Sequence, residues 1–226
     1  MIRGALAGLA LAAAAAQPAA AQRACELGLV LATDVSSSID EVEYRLQMGG
    51  IAGAFRDPVL RGSILDLRAA PVRATVVIWS GYDHQAQVVP WTVLDSAAAL
   101  DAFAAAVDAA PRGRSDEPTA LAKGMEFAAK LAARAPCRRR VIDVSGDGVT
   151  NWGVHPSYFA ARGTFDGMTV NGMVIKGAEP DPEPYYRREV MRGPGAFVMV
   201  ARSYEDYPEA ILEKLLREIV PQVAAR

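Results

Sequence analysis

The chain has 226 residues, 24 lysines and arginines against 26 acids, two histidines and two cysteines, for a formal charge of −2. A weakly acidic chain with no basic stripe argues against a nucleic-acid partner. Two cysteines and two histidines, His84 and His155, are a poor set for a zinc centre.

At the start, Arg3 precedes an apolar stretch over residues 5–16, and Pro18-Ala19-Ala20-Ala21 offers an A-x-A cleavage site. The stretch is too short and too alanine-rich to span a membrane. We expect residues 1–21 to be a cleaved signal peptide and the product to be periplasmic or secreted, with no membrane span. Residues 22–226 then form one domain of ordinary size. In an oxidising compartment the isolated pair Cys25 and Cys137 is a disulfide candidate.

Beyond the leader, strand and helix alternate. Residues 27–33 read as a buried strand and 39–55 as a helix. Residues 72–79 form a β-branched second strand, and 86–94 a third that contains Pro90. Helices are expected over 96–109 and 119–134, then strands over 140–145, 168–175 and 196–201, and a last helix over 207–223. Asp206 and Glu209 suggest a capping box at that helix. The clustered Arg138, Arg139 and Arg140 read as a strand entry. The alternation predicts a doubly wound α/β fold, a mostly parallel six-stranded sheet with helices on both faces. Only residues 80–85 separate the second strand from the third, too few for a parallel crossover, so the third must be antiparallel. Pro90 lacks a ladder donor and puts that strand at a sheet edge.

Strand directions then locate the chemistry. If the first strand ends at the top of the sheet, Asp34-Val35-Ser36-Ser37-Ser38 lies there. The loop before Thr119 also returns to the top, and the fourth strand places Gly146-Asp147-Gly148 there. Adjacent first and fourth strands would flank the crevice where the strand order reverses, where open α/β sheets bind ligands. Asp34, Ser36, Ser38, Thr119 and Asp147 supply only hard oxygen donors, suited to magnesium, manganese or calcium. Each has a plainer reading. Ser38 with Glu41 could cap the first helix, Thr119 could cap a later one, and Gly146-Asp147-Gly148 is an ordinary turn signature.

Together, Asp34-x-Ser36-x-Ser38, the distant Thr119 and Asp147-Gly148 resemble the metal-ion-dependent adhesion site (MIDAS) of von Willebrand factor type A domains, closest to the small exported bacterial branch. The resemblance covers the whole mature chain. It implies that Ser36, Ser38 and Thr119 ligate one divalent cation, magnesium first, with Asp34 and Asp147 often acting through water. It also implies that an acidic group on a partner protein or other macromolecule completes the shell. The approach Gly113-Arg114-Ser115-Asp116-Glu117-Pro118 departs from the glycines frequent there, so Asp116 or Glu117 could fill the open position.

Trp152, Asn151, Tyr82 and His84 are expected at the rim of a partner surface, while Trp79 and Trp91 read as packing residues. Asp143 reads as a buried, paired residue within a strand. Cys25 lies nine residues before Asp34 and Cys137 ten before Asp147, which puts both at nearly equal depth if their strands are neighbours. The leading function is a metal-dependent protein-binding module. The alternative is a magnesium-dependent hydrolase or phosphotransferase at the same site. The sequence shows no paired aspartates, Walker A loop or Gly-x-Ser-x-Gly elbow, and neither histidine has an evident nucleophile.

Overall fold

A computed structural model describes residues 25–67, 70–114 and 116–219. The expected signal peptide, residues 1–21, lies outside them. Six strands form one sheet in the order β3-β2-β1-β4-β5-β6. They are β1 (Cys25–Asp34), β2 (Val72–Trp79), β3 (Gln85–Leu94), β4 (Cys137–Gly146), β5 (Thr169–Ile175) and β6 (Val198–Ala201). Runs of valine, isoleucine and leucine make β1 and β2 largely apolar, as burial on both faces requires, while β4 carries Val141, Ile142 and Val144 into the core around the buried Asp143. β3 pairs antiparallel with β2 and forms an edge, with Pro90 exposed on it. All other pairings are parallel.

Helices cover both faces. Against one face lie α1 (Glu41–Arg56), α2 (Pro58–Leu65), α3 (Ala97–Asp108) and, closing the described chain, α7 (Tyr207–Ile219). Tyr44, Phe55, Phe103 and Tyr207 fill the core between these helices and the sheet. On the other face, α4 (Leu121–Ala133) and the short α5 (Pro156–Ala160) pack over Val30, Trp79, Ile142 and Val174. A one-turn α6 (Pro182–Tyr185) runs into a π-helical turn, Tyr186–Val190, which completes this second core. Among the described residues, no helix is long and apolar enough to cross a membrane.

Three departures from the sequence reading have local causes. Helix α1 begins at Glu41 because Asp40 caps it: its carboxylate accepts from Glu43 N–H (2.8 Å) while Glu43 accepts from Asp40 N–H (2.7 Å). Helix α2, which the reading did not anticipate, is started by Asp57 and Pro58, with Asp57 accepting from Val59 and Leu60 N–H. At α7, the Asp206 carboxylate accepts from Arg202 Nε at 2.8 Å. The arginine run is a strand entry as expected. Arg138 pairs with Glu26, Arg139 donates to Glu218 O (2.7 Å) and Arg140 to Gly167 O (3.4 Å).

Two further expectations are met. Cys25 and Cys137 are register partners on β1 and β4, with Cα atoms 4.4 Å apart, and form a disulfide. Asp143 is buried against Lys214 Nζ at 2.7 Å.

Candidate metal centre

Strands β1 and β4 are neighbours at the centre of the sheet, and strand order reverses between them. Their C-terminal ends deliver Asp34 and Asp147 to one crevice. The loop after β1 brings Ser36 and Ser38, and the loop before α4 brings Thr119. Ser36 Oγ lies 3.1 Å from Thr119 Oγ1, although 83 residues separate them. Ser38 Oγ donates to Asp147 Oδ1 at 3.0 Å. Asp34 Oδ1 accepts from Ser36 N–H at 2.8 Å, which tightens the turn. The five residues predicted from the sequence therefore meet in space. Asp34, Ser36, Thr119 and Asp147 are buried, while Ser38 is exposed.

The capping readings of Ser38 and Thr119 do not hold. With Asp40 capping α1, the Ser38 hydroxyl is free to reach Asp147. Ala120, not Thr119, precedes α4, and no side chain caps that helix. Thr119 instead presents its hydroxyl to Ser36.

Backbone bonds fix the loops. Val35 N–H donates to Trp79 O (2.8 Å), Ser37 N–H to Glu117 O (2.9 Å) and Ala120 N–H to Ser80 O (2.9 Å). Thr119 N–H donates to Asn151 Oδ1 at 2.8 Å, and Asn151 N–H returns to Thr119 O at 3.1 Å. The Asn151 side chain thus clasps the threonine loop.

Tyr204 and Tyr186 escaped the sequence reading. Tyr204 O–H donates to Asp147 Oδ2 at 3.0 Å. Its position just past β6 also lies at the top of the sheet, so the strand-direction argument could have found it. Tyr186 is fully buried, and its hydroxyl has no partner among the described residues. A Cβ on Gly146 would sit 2.5 Å from that hydroxyl and 3.0 Å from Asp34 Oδ2, so only glycine fits between them. No local sequence signal marks Tyr186.

The electrostatics are those of a site short of positive charge. Asp34 Oδ2 is buried with no hydrogen-bond partner among the described residues. Burial, and then the charge of Asp147, push the Asp34 carboxyl up to about 8. Burial raises both tyrosine hydroxyls well above their usual range, and the aspartates add to the rise. An uncompensated buried carboxylate is costly. A divalent cation among two carboxylates and three hydroxyls would relieve that cost, and the donor chemistry fits a hard ion.

The rim is uneven. Glu117 turns to the β2–β3 hairpin: its Oε1 lies 3.4 Å from His84 Nδ1 and 3.6 Å from Arg114 Nη2, and its side chain packs against Gly81. Asp116 is exposed. Trp152 and Tyr82 are 45% and 42% exposed, and a Cβ on Gly153 would touch the Tyr82 ring at 3.4 Å. The loop after Asp147 therefore abuts the hairpin. Trp79 is fully buried and Trp91 half-buried, both in packing roles.

The architecture defines the class: a doubly wound α/β protein with a von Willebrand factor type A-like fold. Within it, the chain belongs to the family described as "Protein of unknown function (DUF1194)", whose model matches residues 24–223. Among solved structures it is similar to a von Willebrand factor type A protein from Catenulispora acidiphila, at TM-score 0.63 and 17% identity over 86% of this chain and 43% of that one. It is similar to proximal thread matrix protein 1 from the mussel byssus, in a structure with a zinc-occupied MIDAS motif (TM-score 0.56, 14% identity, 87% of this chain and 48% of that one). BatB from Bacteroides thetaiotaomicron matches at TM-score 0.55 and 14% identity, over 85% of this chain and 98% of that one. The chain spans less than half the length of the first two. At these identities the likeness is one of fold. No curated protein matches the sequence.

Proposed function

We propose that the protein is an exported, metal-dependent binding module. It holds one divalent cation at Asp34, Ser36, Ser38, Thr119 and Asp147 and captures an acidic group of a partner protein. The observation that carries this reading is the buried Asp34 carboxylate, whose Oδ2 has no hydrogen-bond partner among the described residues, set in a crevice with three hydroxyls and a second carboxylate. Magnesium is the first candidate, and manganese and calcium suit the same donors. The zinc-occupied MIDAS motif of the mussel protein supports a cation at this place in the fold.

When bound, the cation supplies an electrophilic centre for an outside carboxylate. The protein's residues prepare that centre. Ser38 and Tyr204 each donate to one Asp147 oxygen and so hold the carboxylate and blunt its charge. Asn151 fixes the Thr119 backbone. Neutral hydroxyls make up most of the donor set, which leaves residual positive charge for the partner. Glu117 lies against His84 and Arg114 at the hairpin, which favours a partner's group over Glu117 at the open position. Exposed Trp152 and Tyr82, with His84 and Asn151 beside them, form the partner's contact rim, where aromatic anchors are effective.

The hydrolase alternative gains no support from the geometry. His155 is hydrogen-bonded to the Tyr185 hydroxyl at 2.9 Å, and His84 lies against Glu117.

The test is a pull-down from periplasmic extract with and without EDTA, with Asp34→Ala as control. EDTA should abolish partner retention while the circular dichroism spectrum persists, and excess magnesium should restore retention. Retention indifferent to chelation would end this reading.

A further inference from the structure

A second cavity lies at the opposite end of the sheet from Asp34 and Asp147. It has a volume of about 480 Å³ and opens where β4 and β5 begin and α7 ends. Its lining combines charge and apolar surface. Arg139 and Arg217 bring cations, Phe197 brings an aromatic wall, and Asn171 and Glu218 bring polar groups. The Arg217 guanidinium stacks on Phe197, with Cζ 3.8 Å from the ring centroid.

Two groups in this lining are left over after the fold has used the rest. Arg139 is held by Nη2, which donates to Glu218 O at 2.7 Å, while its buried Nη1 has no partner among the described residues. Glu218 is only 2% exposed. Its Oε1 accepts from Asn171 Nδ2 (2.7 Å) and Lys214 Nζ (2.5 Å), but its buried Oε2 likewise has no partner. Leaving a buried donor and a buried acceptor unmade is costly, and native proteins rarely do so without a ligand or water.

We propose that this cavity binds a small organic acid that carries a hydrogen-bond donor next to its carboxylate, an amino acid or a hydroxy acid. The carboxylate meets Arg139 and Arg217, charge-assisted contacts for which guanidinium groups are well suited. The ammonium or hydroxyl donates to Glu218 Oε2. The apolar body lies against Phe197. Each element of the ligand answers a group already in place, and none involves the metal centre.

Calorimetric titration of the full chain with four related compounds tests the proposal: L-phenylalanine, 3-phenyllactate, 3-phenylpropionate and 2-phenylethylamine. The first two differ in the donor and so separate amino from hydroxy acids. The third lacks the donor and the fourth lacks the carboxylate. We expect saturable binding of at least one of the first two, unchanged by EDTA, and binding at least about tenfold weaker for the last two. Arg139→Gln should weaken binding by a similar factor. Arg217 is an exposed helix residue, so Arg217→Ala keeps the fold and should also weaken binding. No saturable binding of either donor-bearing acid would overturn the proposal. So would equal affinity for 3-phenylpropionate, or an Arg217→Ala variant that binds as tightly as the parent protein.

Discussion

Burial holds the Asp34 carboxyl near 8, with Asp147 adding to the rise. In an unfolded chain an aspartate titrates near 3.9. A group with a raised folded value contributes most stability below its unfolded value and loses it as pH rises through the folded one. The metal-free protein should therefore lose stability between about pH 4 and pH 8. Asp34→Asn should remove that loss: in EDTA at pH 8 its Tm should exceed that of the parent protein, while magnesium should no longer raise it. Thermal melts at pH 5 and pH 8, with EDTA or magnesium, check both halves. A second contrast separates cap from ligand. Asp40→Ala should cost about 1 kcal/mol of stability, the usual worth of an N-cap, and leave magnesium affinity unchanged. Ser38→Ala should leave α1 intact and weaken magnesium binding. Denaturant titration and calorimetry on the two variants make the comparison. At this scale the sequence marked five residues that the fold brings to one crevice, because strand order and direction place their three segments at the same end of the sheet. It did not say that Ser38 and Thr119 are free of capping duty, since Asp40 outcompetes Ser38 only once α1 starts at Glu41. Tyr186 was invisible, because tertiary packing alone brings its hydroxyl beside Gly146.

At the level of elements, the strands were legible from β-branched runs, and the antiparallel β3 followed from a six-residue link and Pro90. The pairing of β1 with β4 was the one condition the motif needed, and the sheet order supplies it. Short pieces were missed for a physical reason. Helices α2 and α5, the one-turn α6 and the π turn carry too few residues for periodicity to show, and their apolar positions answer to neighbours distant in sequence. Helix α4 lies close against the sheet at Gly124. A Cβ at Gly124 would press into the buried Trp79 indole, which continues from β2 into the hairpin beside the site. Gly124→Ala should destabilise the protein by about 1–3 kcal/mol, the usual cost of overpacking, despite alanine's better helix propensity. Urea denaturation would show it. A neutral or stabilising effect would mean that α4 shifts freely over Trp79.

Across the whole molecule, the proposed function and the covalent staple sit at opposite ends of the same two strands. The proposed cation site lies at the C-terminal ends of β1 and β4, and the Cys25–Cys137 disulfide ties their N-terminal ends across 112 residues of sequence. Closing a loop of that length stabilises by about 4–5 kcal/mol in the chain-entropy model. Reduction should therefore lower the denaturation midpoint substantially without changing magnesium affinity, as melts and titrations with and without dithiothreitol would reveal. Above all, the proposal has five residues from three segments hold one cation. Calorimetric titration with manganese of the parent protein and of the Asp34→Ala, Thr119→Ala and Asp40→Ala variants tests it most directly. One ion per chain should bind the parent protein, binding should be lost in Asp34→Ala and Thr119→Ala, and it should be unchanged in Asp40→Ala. Manganese binding that survives in folded Asp34→Ala and Thr119→Ala variants would contradict it.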